Sequence, residues 1–394
     1  MAFEDTRSLR SVNRGLASSR RRQRRTNPIM PSLVDALTEL GPAIPEIARR
    51  MHQHNETVRY WYKTLMRRGF TIQVSVNYEK LGLRRVVAVV RFNHEYESFG
   101  ENILTVMSEL CYLQGFVRTL PRDHYIIHGA VPEELVGRWM EFIESLKDMG
   151  FFKSVEFSIF DWVRDVPMKI ESYNFDEGIW EFEWSKAGKV YPAAIFEPSP
   201  KGQFDMTDLR VIKQLQMQPN KSLKDIQKQI GGNYKTLGFH YRRHVVARRL
   251  LKGHRVDWMG TRPGNSENRV EHRRHNYLLI DIIVNDIGEE EKAKLLGMTN
   301  AIPYLCWEAA GPSYYARLAF PTENITEALQ FMSAALSPFG ERAEWFMVDQ
   351  ARSAAFPISP EVFEPESGSW KFDRADLQGK FERLLLQFKK AKAR

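Results

Sequence analysis

Basic and aromatic side chains recur at helical spacing in two short stretches of this chain. In NETVRYWYKTLMRRG (55–69), an inward row of Val58, Tyr62 and Leu65 leaves Asn55, Glu56, Arg59, Tyr60 and Lys63 on the other side of one helix. In NYKTLGFHYRRHVVARR (233–249), Lys235, Phe239 and Arg242 take matching places, with His240, Arg243 and Arg249 beside them. Arginine and lysine can donate to guanine edges or phosphates, and Phe239 can meet a thymine methyl. Only the first two turns of such a helix reach base edges in a major groove. A third basic stretch, SSRRRQRRT (18–26), carries Arg21, Arg22, Arg24 and Arg25 and has no apolar residue to pack. Arginine-rich arms of this kind neutralise phosphates or enter minor grooves.

His240 and His244 stand one helical turn apart. That spacing suits a metal ion, but two ligands are too few, and His254, His272 and His275 are the histidines that could complete a site. The expectation is that these histidines face DNA or pack, with no metal and no cofactor.

Charge is segregated along the chain. The net charge is +8, made of +6 over residues 1–30, +4 over 31–85, +10 over 205–275 and −12 over the remainder. A single charged run is usually a solvated face. Three runs that coincide with helix-turn-helix patterning point to a polyanion, and double-stranded DNA is the expected partner. With 394 residues, 43% of them hydrophobic, the chain exceeds one ordinary core and suits two to four domains. Cys111 and Cys306 are too few for a disulfide framework, so a reducing compartment is expected. No run of 18 apolar residues and no apolar leader occurs, which predicts a cytoplasmic, nucleoid-associated protein without a membrane partner.

The elements that must hold these residues are present twice. Tyr125 and Pro132 reappear as Tyr314 and Pro321, and Phe142 as Phe331, each 189 residues later. Gly178, Trp180 and Phe182 reappear 190 residues later as Gly368, Trp370 and Phe372. Thr57, Tyr60 and Tyr62 precede Thr236, Phe239 and Tyr241 by 179. Matches in one order at one drifting offset mean duplicated domains. Periodicity predicts helices over 31–40, 44–52 and 55–68, and again near 205–217, 222–230 and 234–251, closed by Gly69 and Gly253. The alternating FTIQVSVNY and the basic stretch 260–274 read as wings. Each half then runs βαββαβ, the order of a ferredoxin-like sandwich.

The predicted class is α+β, with two winged helix-turn-helix domains each followed by a ferredoxin-like unit. The boundaries are an Arg-rich arm (1–30), winged helix 1 (31–83), α/β domain 1 with a Trp/Phe-rich extension (84–200), winged helix 2 (203–274), α/β domain 2 (275–372) and a C-terminal amphipathic helix (373–394). The Trp/Phe-rich segments 173–184 and 365–373 are expected to cover sheet surface.

Thr57, Val58, Leu65 and Gly69, followed by Val76–Leu83 (VNYEKLGL) and a βαββαβ unit, resemble the leucine-responsive (Lrp/AsnC) regulators of archaeal or bacterial type. The resemblance implies DNA reading by the third helix, and pairing or small-molecule effector binding by the α/β domain. The family's Gly and Asp around the third strand have no clear counterpart in PRDHYII or AGPSYYA, so the effector is left open, as is dimerisation of whole chains. The leading expectation is a sequence-specific transcription regulator that is not an enzyme, with the second reader the stronger binder. One alternative is an architectural, nucleoid-type DNA-binding protein of low specificity. Another follows from relatives of the family that are tetrapyrrole (siroheme) decarboxylases. RDHYIIHG (122–129) resembles their motif, with Arg122 for a propionate and His124 or His128 as acid or ligand.

Overall fold

The computed structural model describes residues 29–110, 112–120, 124–184, 200–258 and 277–392. The arginine arm, Arg122, His272, His275 and the stretch 260–274 lie outside the described residues. The first half comprises helices α1 (Ile29–Leu40), α2 (Ile44–Arg50) and α3 (Asn55–Arg67), then β1 (Thr71–Val76), β2 (Leu83–Phe92), α4 (Gly100–Leu110), β3 (Leu113–Leu120), β4 (His124–Pro132), α5 (Val136–Asp148), β5 (Phe152–Ile159), β6 (Trp162–Asp165) and a short hairpin of β7 (Tyr173–Asn174) with β8 (Ile179–Trp180). The second half comprises α6 (Met206–Met217), α7 (Leu223–Ile230) and α8 (Tyr234–Phe239), which runs into π-helix over His240–Val246. It continues with β9 (Leu251–Asp257), β10 (Tyr277–Val284), α9 (Glu289–Asn300), β11 (Leu305–Ala310), β12 (Tyr314–Pro321), α10 (Ile325–Leu336), β13 (Ala343–Ala355), a hairpin of β14 (Phe363–Glu364) with β15 (Ser369–Trp370), and α11 (Arg374–Lys392). The class is α+β.

Each trihelical unit closes on the apolar positions its periodicity marks. Leu33, Leu37, Ile47, Val58 and Leu65 are buried in the first, and Leu209, Ile212, Ile226, Leu237 and Val245 in the second. Several boundaries differ from the sequence expectation. His54, not Asn55, is the N-cap of α3, and no side chain caps that helix. The third helix of the second unit is no longer than that of the first: six α-helical and seven π-helical residues match the 13 of α3. Arg249, at φ 56, turns the chain after this helix, and Gly253 lies inside β9 rather than at a helix end.

Of the two expected wings, 260–274 lies outside the described residues, and FTIQVSVNY does not stand as a separate wing. Instead β1 of the first unit pairs antiparallel with β9 of the second, from Thr71↔Asp257 to Val76↔Leu251. Alternation identifies a strand but not its partner, and a lone strand must satisfy its backbone groups somewhere. The ribbon is pinned at Gly41, whose left-handed φ of 65 ends α1. A Cβ there would stand 2.4 Å from the imidazole of His254. Burial of His254 lowers its pKa to about 4, so the ring packs there in its neutral form.

The α/β units merge into one nine-stranded antiparallel ladder of order β5-β2-β4-β3-β13-β10-β12-β11-β6. Its two end strands, β5 and β6, are separated in the chain only by Phe160 and Asp161. Two four-stranded sheets are therefore joined at both sides. β13 pairs with β10 and then β3, while the β5–β6 run pairs with β2 and then β11. Alternation assigns each face. Val86, Ala88 and Val90 point to the helix side with Ile103, Trp139 and Phe142, whereas Val87, Val117 and Ile126 meet Ile283, Trp307 and Tyr315 between the sheets. β6 is held by a buried carboxylate. Glu308 pairs with Arg164 of that strand and accepts from Thr299 Oγ1 at 3.1 Å and Tyr314 Oη at 3.0 Å.

The aromatic extensions cross over. Trp180 and Trp184 of the first half pack on Tyr304, Phe320 and Phe331 of the second. Trp370 and Phe372 pack on Tyr112 of the first, and Trp370 Nε1 donates to the Leu81 carbonyl at 2.9 Å. Phe381 of α11 then docks on Phe142 and Phe151. Truncation of Trp370 to alanine is expected to cost about 3–5 kcal/mol, as large aromatic deletions in cores do. Denaturant unfolding reads this as a lower midpoint, and an unchanged midpoint would show that the crossover is not structural.

Candidate functional site

The third helix of each trihelical unit keeps one face free of the protein. On α3, Asn55, Glu56, Arg59, Tyr60 and Lys63 are exposed, and Arg59 is ion-paired with Glu56. On α8 and its π-helical continuation, Tyr234, Lys235, Phe239, Arg242 and Arg243 are exposed. No carboxylate pairs with Lys235, Arg242 or Arg243 among the described residues. The Asn233 side chain accepts from Lys235 N at 2.8 Å and so fixes where the helix begins. Cations left unpaired on an exposed face favour an anionic ligand.

Two of the residues assigned to this face lie elsewhere. His240 turns inward, its side chain 15% exposed and its Nδ1 2.9 Å from Asp208 Oδ1. Position 240 follows buried Leu237 by three residues and so shares its inner side, as Trp61 does in the first unit. Arg249 is exposed beyond the helix end, where its carbonyl accepts from Asn77 Nδ2 at 3.3 Å. The arm residues Arg21, Arg22, Arg24 and Arg25 lie outside the described residues.

A second constellation sits between the two sheets. Arg317 on β12 makes a bidentate pair with Asp281 on β10, with Nε to Oδ1 and Nη2 to Oδ2 both at 2.7 Å. Asp281 is 0% exposed. Arg317 Nη2 also reaches Tyr315 Oη at 3.0 Å and His128 Nε2 at 3.3 Å. His128 and Arg317 are 189 residues apart, the offset of the repeat, so equivalent positions of the two halves meet here. Burial, with Arg317 and Arg85 nearby, holds the His128 pKa well below the usual histidine range. The ring is thus neutral, its Nε2 accepts from Arg317, and its Nδ1 finds no hydrogen-bond partner. Arg85 lies 4.9 Å from the Tyr78 ring centre and 6.0 Å from that of Trp307, and its buried Nη1 is also unpartnered. A cavity of ≈ 20 Å³ beside Arg255 and Cys306 has room for about one water.

Sequence reasoning named His128 only through the decarboxylase resemblance and missed Asp281 and Arg317. Asp281 is a single charge within the apolar run LLIDIIV. A lone acid at a fully buried strand position is itself the signal, because it requires a buried cation. Also missed was the approach of Asp205 and Asp208 to His240 and His244.

No protein-family model matches the chain, and no curated protein matches it in sequence. Solved structures do. The siroheme decarboxylase NirDL is similar over 93% of this chain and 99% of its own, at 8% identity and a TM-score of 0.49. NirDL with an iron-uroporphyrin III analogue is similar over 83% of this chain and 93% of its own, at 8% identity and a TM-score of 0.47. About a third of the chain is similar to AsnC-family regulators. The Pyrococcus furiosus regulator of that family matches 34% of this chain and 88% of its own, at 16% identity and a TM-score of 0.27. The AsnC protein of E. coli matches 33% and 89%, at 14% identity and a TM-score of 0.27. The expectation that the chain is not an enzyme is corrected by this comparison, since a structure similar over 93% of it is that of an enzyme. No described helix is long and apolar enough to cross a membrane.

Replacing Asp281 with alanine leaves a buried guanidinium without its counter-ion, and the expected loss is about 3–5 kcal/mol. Replacing the pair together, Asp281→Leu with Arg317→Met, is expected to recover most of it. Equal destabilisation of single and double variants in chemical denaturation would show that the cluster acts by more than pairing.

Proposed function

We propose that the chain binds double-stranded DNA as a sequence-specific regulator, using the third helices of its two trihelical units. One observation carries the reading: α8 and its π-helical continuation present Lys235, Arg242 and Arg243 with Tyr234 and Phe239 on an exposed face where no acidic side chain among the described residues neutralises them. Unpaired cations supply affinity by releasing counterions from DNA. Aromatic and polar neighbours supply contacts to base edges. The arginine arm adds sequence-independent phosphate contacts. An architectural role with little preference differs from this reading only in its specificity ratio, which must be compared at one salt concentration.

The two readers are unequal. Arg59 is occupied by Glu56, and the first unit has +4 over residues 31–85 against +10 over 205–275. Arg242→Ala with Arg243→Ala is therefore expected to weaken binding more than Arg59→Ala with Lys63→Ala. Each lost bidentate base contact should cost about 1–3 kcal/mol, and a phosphate contact less. Both pairs are measured on one duplex at one salt concentration, after circular dichroism shows each variant folded. A silent second-unit pair beside a first-unit pair that abolishes binding would reverse the assignment.

A second reading, decarboxylation of a carboxylate-rich tetrapyrrole, has one observation in its favour. Arg85 Nη1 and His128 Nδ1 are buried without partners between the sheets, and a ligand carboxylate could satisfy both. Titration with an iron-uroporphyrin should then shift its visible absorption in wild type and not in Arg85→Ala. An unshifted wild-type spectrum removes this reading and leaves DNA binding untouched.

A further inference from the structure

The second trihelical unit contains a cluster that DNA reading does not use. Asp205 and Asp208 from the start of α6 and His240 and His244 from the π-helical turn each offer one ligand atom, and these atoms lie within 4.8 Å of one another. His240 Nδ1 is 2.9 Å from Asp208 Oδ1 and 3.5 Å from Asp205 Oδ2. His244 Nδ1 is 3.1 Å from Asp208 Oδ2 and 4.0 Å from Asp205 Oδ2. Their four-residue spacing places both rings on one side, with centres 4.7 Å apart, and Phe239 shields them edge-on at 5.3 Å from His244.

From this arrangement we infer a divalent transition-metal site, of the zinc class, with two imidazole nitrogens and two carboxylate oxygens as ligands. The dimensions suit it. Zinc binds histidine nitrogen and carboxylate oxygen at about 2.0–2.2 Å in a tetrahedron, so neighbouring ligand atoms stand about 3.3 Å apart. The histidine–carboxylate distances run from 2.9 to 4.0 Å, those to Asp208 reaching its two different oxygens, and one ligand atom from each residue lies within 4.8 Å of the others, so the side chains need draw in only slightly to reach that separation. The charge also suits it. Asp208 is 0% exposed, and no lysine or arginine pairs with it or with Asp205 among the described residues. Two carboxylates balance one divalent ion, and binding replaces the ring Nδ1 protons. Asp205 is positioned before any ion arrives. Its Oδ1 caps α6 by accepting from Thr207 N at 2.8 Å and Asp208 N at 3.1 Å, which leaves Oδ2 toward the histidines.

The fold uses the two carboxylates, which cap α6 reciprocally, but it does not need the two histidines. At the repeat offset of 179, His240 and His244 correspond to Trp61 and Leu65, so the first unit fills the same positions with apolar side chains. A buried polar group kept where packing would serve is the kind retained for specificity or switching. Here the ion would tie α6 to the helix that carries Phe239, Arg242 and Arg243.

The test uses the full chain, stripped with a chelator and titrated with Co(II) and then Zn(II), without DNA. One ion per chain is expected by equilibrium dialysis, with the visible d–d bands of tetrahedral Co(II) that Zn(II) abolishes. Asp205→Asn and His244→Gln should each weaken Co(II) binding by more than about 10-fold, the loss that even an outer-shell partner causes. Asp205 is half exposed, so its variant reports binding where Asp208→Asn could unfold the unit. Absence of a bound ion at micromolar metal overturns the site, and leaves a carboxylate hydrogen-bonded by two histidines. An ion bound equally well by wild type and both variants also overturns it, by placing the metal elsewhere. Neither result bears on DNA affinity.

Discussion

A four-stranded sheet that is apolar on both faces cannot be covered by two helices. In each half of this chain α4 and α5, or α9 and α10, take one face, and the other must find a surface of the same kind. The duplicated half provides it. The inner faces meet, and the strands that follow, β6 and the far end of β13, cross to the opposite half and pair there. The aromatic segments and α11 cross as well, so neither half completes its own core. Joining the copies in one chain removes the concentration dependence that a dimer of separate subunits would have.

Where the copies meet, their equivalence ends. His128 and Arg317 occupy the same place in the repeat but do different work, one accepting a hydrogen bond and the other holding Asp281. Duplication within one chain permits this, because each copy can change without forcing the same change on its partner. The trihelical units show the same divergence. The first has a paired arginine and an apolar interior. The second has unpaired cations outside and a histidine–carboxylate cluster inside. The β1–β9 ribbon ties the two units together, so their third helices are held by a shared scaffold.

Much of this was legible in the sequence. Apolar spacing located the helices, alternation located the strands, and the repeat revealed the duplication. What escaped were partners far apart in the chain. FTIQVSVNY reads as a strand from its alternation, but nothing local says that its partner lies about 180 residues on. The Trp/Phe segments read as covers, but not as covers of the opposite half. The inward placement of His240 escaped because its partner, Asp208, lies 32 residues earlier in the chain. The exposed face of α8 was readable because exposure follows from the buried positions Leu237 and Val245 beside it.

The most direct measurement is a selected-site assay with full-length protein, random duplexes and excess non-specific competitor at near-physiological salt. Two unequal helices on one scaffold should enrich a bipartite site. Its halves should differ in sequence and be spaced so that both major grooves face the protein, about 10–10.5 base pairs or a multiple apart. Enrichment of no sequence over the competitor would contradict specific reading, and enrichment of a single isolated half-site would contradict the use of both helices.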